Sequence, residues 1–251
     1  LAAYSNCPLQ YKFAHRLHIP AFGNHNSTFG QSMHNTLHKI MEEYTRRINN
    51  QQINLFDDQQ LETKNNDLLS LKEMMQIFEE NWSDDWYPSE RLKKQYFEKG
   101  RDIIKAFKTR IDNEAPKVAF LEKGFVLKIK NVILKGRIDR IDKTEKGYEI
   151  IDYKAGKPHE KLAWDNKRQL IIYALAAEEA FDPPLPLEKL TYYYLDNDTT
   201  LSFMPTEKEK EKLKEEILKI ANSINNGDFH PSPGYHCRNC DFKDICEFSD
   251  F

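Results

Sequence analysis

Hydrophobic positions along the chain fall into two rhythms, helical first and alternating later. From Phe29 onward, Met33, Leu37, Ile40, Met41 and Tyr44 recur at helical spacing, which predicts an amphipathic helix with one buried stripe. The stretch from Asn49 to Asn66 is rich in Asn, Gln and Asp, so a loop or insertion is expected there. Further helices are expected around Leu68 to Trp82 and Ser89 to Asn113, the second opened by Pro88 and a Ser-Glu start. The rhythm then changes to alternation. Strands are expected from about Lys117 to Ile129 and in two runs that flank Lys143-Thr-Glu-Lys-Gly147. A helix near Asp165 to Ala180 ends before Pro183-Pro184, and Leu187 to Leu195 and Thr200 to Met204 read as a second hairpin around Asp196-Asn-Asp198. A charged amphipathic helix from Thr206 to Asn225 turns Leu213, Ile217, Leu218, Ala221 and Ile224 inward. A cysteine-rich tail follows. There is no internal repeat and no Gly-x-x-x-x-Gly-Lys-Ser/Thr phosphate loop, so ATP hydrolysis is not encoded in these residues.

The chemistry concentrates in the first hairpin, Gly136-Arg-Ile-Asp-Arg-Ile-Asp142 and Glu149-Ile-Ile-Asp-Tyr-Lys154. A turn centred near Glu145 and Lys146 puts Asp139 opposite Asp152, and like charges facing each other across a ladder are destabilising. A divalent cation removes that repulsion. Lys154, two residues beyond Asp152, projects to the same face. Hard cations such as Mg²⁺ prefer carboxylate oxygens and keep waters, and a nearby ammonium can orient a nucleophilic water or offset phosphate charge. The plainer reading is a solvated hairpin with alternating charges.

Gly-Arg-Ile-Asp-Arg-Ile followed by Ile-Ile-Asp-Tyr-Lys-Ala-Gly resembles the core of the PD-(D/E)XK nuclease superfamily, in particular the RecB-type nucleases found with DNA helicases and among CRISPR adaptation proteins. The resemblance runs over nearly the whole chain. It implies an α/β fold, a restriction-endonuclease-like mixed central sheet flanked by helices, with a helical insertion and a cysteine-rich C-terminal tail. The whole of 1–251 is then one domain: a helical region of about 30–115, a catalytic core of about 117–204 and a C-terminal part of about 206–251. It also implies that Asp139, Asp152 and Lys154 form the catalytic core. His34, in Gly30-Gln-Ser-Met-His-Asn-Thr-Leu37, joins the metal site, and the Tyr153 carbonyl is a further ligand. The family's glutamate on the preceding strand corresponds to Glu122, and its Gln-x-x-x-Tyr helix to Gln169-Leu-Ile-Ile-Tyr173.

Each of these residues also has a structural explanation. His34 lies beside the buried stripe of its helix and could be a hydrogen-bonded core histidine. Glu122 could point to solvent. Gln169 and Tyr173 are four apart on one helix face, which suits plain packing of the tyrosine. The ordered set carries more weight than any member.

Four cysteines occur, Cys7 near the start and Cys237-x-x-Cys240-x5-Cys246 near the end. Clustered thiolates suit soft or borderline metals and indicate a four-thiolate site. Zinc is the default reading of an all-cysteine site, although zinc ribbons usually present two close pairs. The one-plus-three arrangement resembles the iron-sulfur staple of RecB-type nucleases, which implies a 4Fe-4S cluster. Cys7-Pro-Leu-Gln-Tyr-Lys-Phe13 resembles that family's N-terminal cluster motif. Such a cluster would tie the two ends of the domain together, a structural role. Disulfides are the other reading, and His230 and His236 lie close enough in sequence to substitute as ligands.

Composition sets outer bounds. With 251 residues, 39% hydrophobic and 12% aromatic, the chain can bury a substantial core. No apolar run reaches membrane-spanning length. A formal net charge of -3 is not that of a general nucleic-acid coat protein, but Arg137, Arg140, Lys157, Lys161, Lys167 and Arg168 form a local basic track around the proposed centre. The expected function is a metal-dependent DNA nuclease using Mg²⁺ or Mn²⁺, acting on single strands or duplex ends in an intracellular, cytoplasmic setting. A helicase domain or subunit is the expected partner, since the chain begins with Leu1 and reads as an excised domain. The alternatives are a CRISPR adaptation nuclease and a non-catalytic DNA-binding or scaffolding module.

Overall fold

A computed structural model describes residues 2–21, 23–54, 68–158 and 162–249. Two short helices, α1 (Ala2–Asn6) and α2 (Pro8–Tyr11), lead into a π-helical turn over Lys12–Arg16. Then come α3 (His25–Asn54), α4 (Leu71–Asn81) and α5 (Glu90–Glu114). Their starts follow capping chemistry. Ser70 and Glu73 form a reciprocal capping box at α4, and the Ser89 hydroxyl accepts from the Leu92 amide at α5.

The expected loop from Asn49 to Asn66 needs correction in its first part, because α3 continues to Asn54. A helix already nucleated and packed over many turns propagates at little cost, and Gln forms helix readily. Positions 55–66 of that expectation lie outside the described residues.

Five strands form one sheet in the order β1 (Val118–Ile129), β2 (Val132–Lys143), β3 (Tyr148–Lys154), β4 (Leu187–Tyr194) and β5 (Thr199–Phe203). All neighbours are antiparallel except β3 and β4, which run parallel and are joined by α6 (Trp164–Glu179). This is the mixed sheet flanked by helices expected from the sequence. The last helix, α7 (Glu207–Asn225), starts with a second capping box, between Thr206 and Glu209.

The sheet is covered on both faces. On one side, Phe29, Met33, Leu37, Ile40 and Met41 of α3 meet Met74, Phe78, Ile104 and Phe107 of the next two helices above Ile151 and Tyr193. On the other, Leu170, Ile171, Ala174 and Leu175 of α6 and Leu213 and Ile217 of α7 cover Leu127, Ile138, Ile141, Ile150 and Leu190. A central strand buried on both faces reads as a continuous apolar run, which is why Leu190 to Leu195 shows no alternation.

The two distant chain segments meet. The Tyr4 hydroxyl donates to the Asp228 carbonyl at 2.5 Å, the Tyr4 and Tyr11 rings pack on Phe229, and Phe13 packs on Phe242.

Candidate active site

The β2–β3 register pairs Arg140 with Ile151, Ile141 with Ile150 and Asp142 with Glu149, so Asp139 and Asp152 face each other at the next step, as the turn position requires. The β1–β2 register pairs Leu121 with Arg140 and Lys123 with Ile138, which sets Glu122 opposite Asp139. Three carboxylates therefore lie in a row across three adjacent strands. The row coincides with broken regularity. Glu122 has a left-handed φ of 50°, which costs a non-glycine residue on the order of 1–3 kcal/mol. Ile138 and Ile141, three residues apart, both enter the same core, so strict alternation fails between them. Past Arg140 the Tyr153 amide donates to Asp139 Oδ2 at 3.1 Å, which satisfies a backbone group where the ladder stops.

His34 reaches this row from α3. Its Nε2 lies 2.7 Å from Glu122 Oε1 and its Nδ1 3.6 Å from Asp139 Oδ2. The buried stripe of α3 passes through Met33 and Leu37, which leaves His34 half-buried and turned to the carboxylates. Among the described residues, His34, Glu122 and Asp139 form the one group of three donors whose ligating atoms lie within 4.8 Å of one another. Two oxygens and a nitrogen fit a divalent cation such as Mg²⁺ or Mn²⁺, with the imidazole favouring the transition metal.

Asp152 is committed to a second set of contacts. It is almost fully buried at 2% exposure. Its Oδ2 is 2.7 Å from Lys154 Nζ, and its Oδ1 accepts from Gln169 Nε2 at 2.8 Å. Lys154 Nζ also donates to Gln169 Oε1 at 2.8 Å, and the Gln169 amide donates to the Tyr173 hydroxyl at 2.8 Å. Gln169 thus holds carboxylate and ammonium at once, one with each end of its amide. The Tyr173 hydroxyl lies 3.4 Å from Asp152 Oδ1. All of the residues expected at this centre come together, although Asp152 faces Lys154 and α6 whereas His34 and Glu122 gather around Asp139.

Crowding shifts the carboxylates. Burial, reinforced by the facing Asp152 charge and opposed by His34, pushes Asp139 up to about 6. Burial also pushes Asp152 up, against the pull of Lys154. A site that disfavours its own negative charges is prepared for a cation.

The expected basic track is largely committed elsewhere. Arg140 is buried, with its guanidinium on Asp142 at 2.5 and 2.7 Å and on the Tyr153 hydroxyl at 3.2 Å. It neighbours Asp139 in sequence and so points to the other face of the strand. Arg137 bonds Glu122 Oε2 at 3.2 Å, Lys167 bonds Glu209, and Arg168 pairs with Glu216 and Asp165. Lys161 lies outside the described residues. Lys157 is exposed. The grip of Arg137 on Glu122 was legible from the strand pairing but needed the β1 register, which no turn motif fixed.

Cys7, Cys237, Cys240 and Cys246 line one small cavity together with Leu9, Phe13 and Phe242. The Ser232 amide points at Cys7 Sγ and the Gly234 amide at Cys237 Sγ, both at 3.4 Å. All four are free thiols, and burial pushes the Cys240 thiol up. A single tetrahedral zinc at about 2.3 Å from each sulfur would hold the sulfurs about 3.8 Å apart. No three of these cysteines meet even the 4.8 Å spacing satisfied by His34, Glu122 and Asp139, so the cavity suits a wider group better than one ion. His236 lines the same cavity.

The family described as PD-(D/E)XK nuclease superfamily matches residues 1–247. A search of the curated proteins found no match. Among solved structures the chain is similar to one described as "Crystal structure of SSO0001", at 18% identity and a TM-score of 0.37, over 64% of this chain and 81% of that one. No residue's role follows from so distant a likeness.

Proposed function

The chain belongs to the PD-(D/E)XK nuclease superfamily, and we propose that it is a metal-dependent deoxyribonuclease of the RecB type. One observation carries this reading: a row of three carboxylates beside a lysine 2.7 Å from Asp152, an arrangement that destabilises a fold unless a cation is bound. His34, Glu122 and Asp139 would hold Mg²⁺ or Mn²⁺, with Asp152 and the Tyr153 carbonyl completing the shell. The bound ion supplies Lewis-acid polarisation of the phosphate and acidifies a water.

The chain's own residues do the rest. Lys154 orients the attacking water and offsets charge building on the phosphate. Gln169 fixes the Lys154 ammonium against Asp152, and Tyr173 anchors Gln169. Arg137 and His34 hold the two oxygens of Glu122, so that carboxylate is positioned from both sides. Cys7, Cys237, Cys240 and Cys246 would hold a 4Fe-4S cluster, whose contribution is to fix the N-terminal segment against the tail. The RecB-type motifs support a place beside a helicase or in CRISPR adaptation.

The test is cleavage of single- and double-stranded DNA with Mg²⁺, Mn²⁺ or EDTA. Cleavage should need the metal and fall by at least about 100-fold in Lys154→Ala. Cleavage in EDTA, or a variant as fast as the wild type, overturns the assignment. DNA binding without cleavage under any metal would make the protein a scaffold.

A further inference from the structure

Behind Lys154 and Gln169, on the side of α6, lies a cavity of about 630 Å³. Its volume falls within the roughly 300–1,000 Å³ of pockets that take a small ligand. Its body is apolar and aromatic, with Phe125, Leu134, Ile172, Tyr192 and Tyr194 in the lining. Its rim carries Lys135 and Lys157. Both are exposed, and neither makes an ion pair among the described residues. By contrast Arg168, on the same wall, is already held by Glu216, Asp165 and Ser5. Ala2 of α1 contributes to the wall.

An apolar body with a cationic rim recognises a ligand that has a flat ring at one end and a phosphate at the other. Lys154 and Gln169 belong to both this cavity and the carboxylate centre, so a ligand seated here lies next to the reacting phosphate. We propose that the cavity is a nucleotide subsite, which takes one unpaired nucleotide flanking the scissile bond. Its base lies against the aromatic and aliphatic lining, and its phosphate lies at Lys135 and Lys157. This rests on the nuclease reading for its place in the reaction, but the binding it claims needs no cleavage. The volume holds a nucleotide and excludes a duplex, whose major groove alone is about 12 Å wide. The preferred substrate is therefore single-stranded DNA.

The test uses the whole chain in EDTA. Calorimetric titration with thymidine 5′-monophosphate, thymidine and inorganic phosphate should give the nucleotide at least about tenfold higher affinity than either part, within the range expected of base stacking combined with charge. Lys135→Glu/Lys157→Glu should weaken nucleotide binding at least about tenfold without lowering the melting temperature. Gly156 lines the same cavity and a Cβ there meets nothing within 4 Å, so Gly156→Phe should occlude the site and do the same. Nucleotide binding no tighter than phosphate, or unaltered by both changes, overturns the subsite. With Mg²⁺, a single-stranded oligonucleotide should be cut at least about tenfold faster than the same sequence in a duplex closed by hairpins, and equal rates overturn the preference. If the nucleotide binds as described but no DNA is cut, the nuclease reading fails and the subsite stands. If DNA is cut but the nucleotide does not bind, the reverse holds.

Discussion

Asp139→Asn should make the metal-free protein more stable while ending its ability to bind a catalytic cation. Asp139 is held up at about 6 from an ordinary value of 3.8, first by burial and then by the facing Asp152. At about 1.4 kcal/mol per pH unit, keeping it charged costs the folded state about 3 kcal/mol. The sign follows from proton linkage. Between pH 4 and 6 the folded protein keeps the Asp139 proton that the unfolded chain has released, so stability falls as pH rises through that window and stays low above it. Asparagine occupies the same volume, and its carbonyl can still accept from the Tyr153 amide. The variant therefore lacks the penalty. Urea denaturation in EDTA at pH 4, 6 and 8 should show the variant equal to wild type at the lowest pH and more stable by up to about 3 kcal/mol at the highest. That difference corresponds to roughly 6–12 °C in melting temperature for a domain of this size. Added Mn²⁺ should close the gap by stabilising the wild type alone. A variant less stable than wild type at pH 8 in EDTA, or a difference independent of pH, would refute the claim that these carboxylates are electrostatically frustrated without a cation.

His34→Ala should weaken Mn²⁺ binding more than Mg²⁺ binding and leave DNA affinity nearly unchanged; calorimetry giving wild-type Mn²⁺ affinity would return His34 to a packing role. Asp142→Ala strands a buried Arg140 guanidinium and should cost about 3–5 kcal/mol of stability in denaturant melts, with a loss under 1 kcal/mol showing that water reaches Arg140. Anaerobically purified protein should be brown with iron bound, and Cys240→Ser should bleach it and lower the melting temperature before it alters cleavage by folded protein. Metal analysis that finds one zinc and no iron would replace the cluster, and finding neither would remove the metal staple.

Much of the fold was legible because its signals are local. Ser70, Ser89 and Thr206 are side-chain caps beside helical apolar rhythm, and the starts of α4, α5 and α7 fall within a few residues of expectation. The Asp139–Asp152 facing followed from one short turn, since a hairpin register propagates from its loop. What stayed hidden depends on partners remote in sequence. Arg140 reads as one more cation in a basic run, and only the stacking of α3 over the sheet makes it a buried partner of Asp142 and Tyr153. Glu122 reads as an ordinary strand residue, and its left-handed backbone leaves no mark in composition. The split between the Asp139 group and the Asp152–Lys154–Gln169 group depends on where α6 lies, which spacing alone does not give.

The embrace of the N-terminal segment by the tail sets a timetable for synthesis. Tyr4 bonds a carbonyl 224 residues further along the chain, and Phe13 rests on Phe242. At about 5–20 residues per second a ribosome needs roughly 10–45 s to make that span. During that time the first helices and Cys7 have no surface to dock on, while the helical half and the carboxylate-bearing sheet can already form. Assembly of the shared cysteine cavity is therefore a late, post-exit event, and the exposed N-terminal segment is where chaperones or cluster-delivery factors have their opportunity to act.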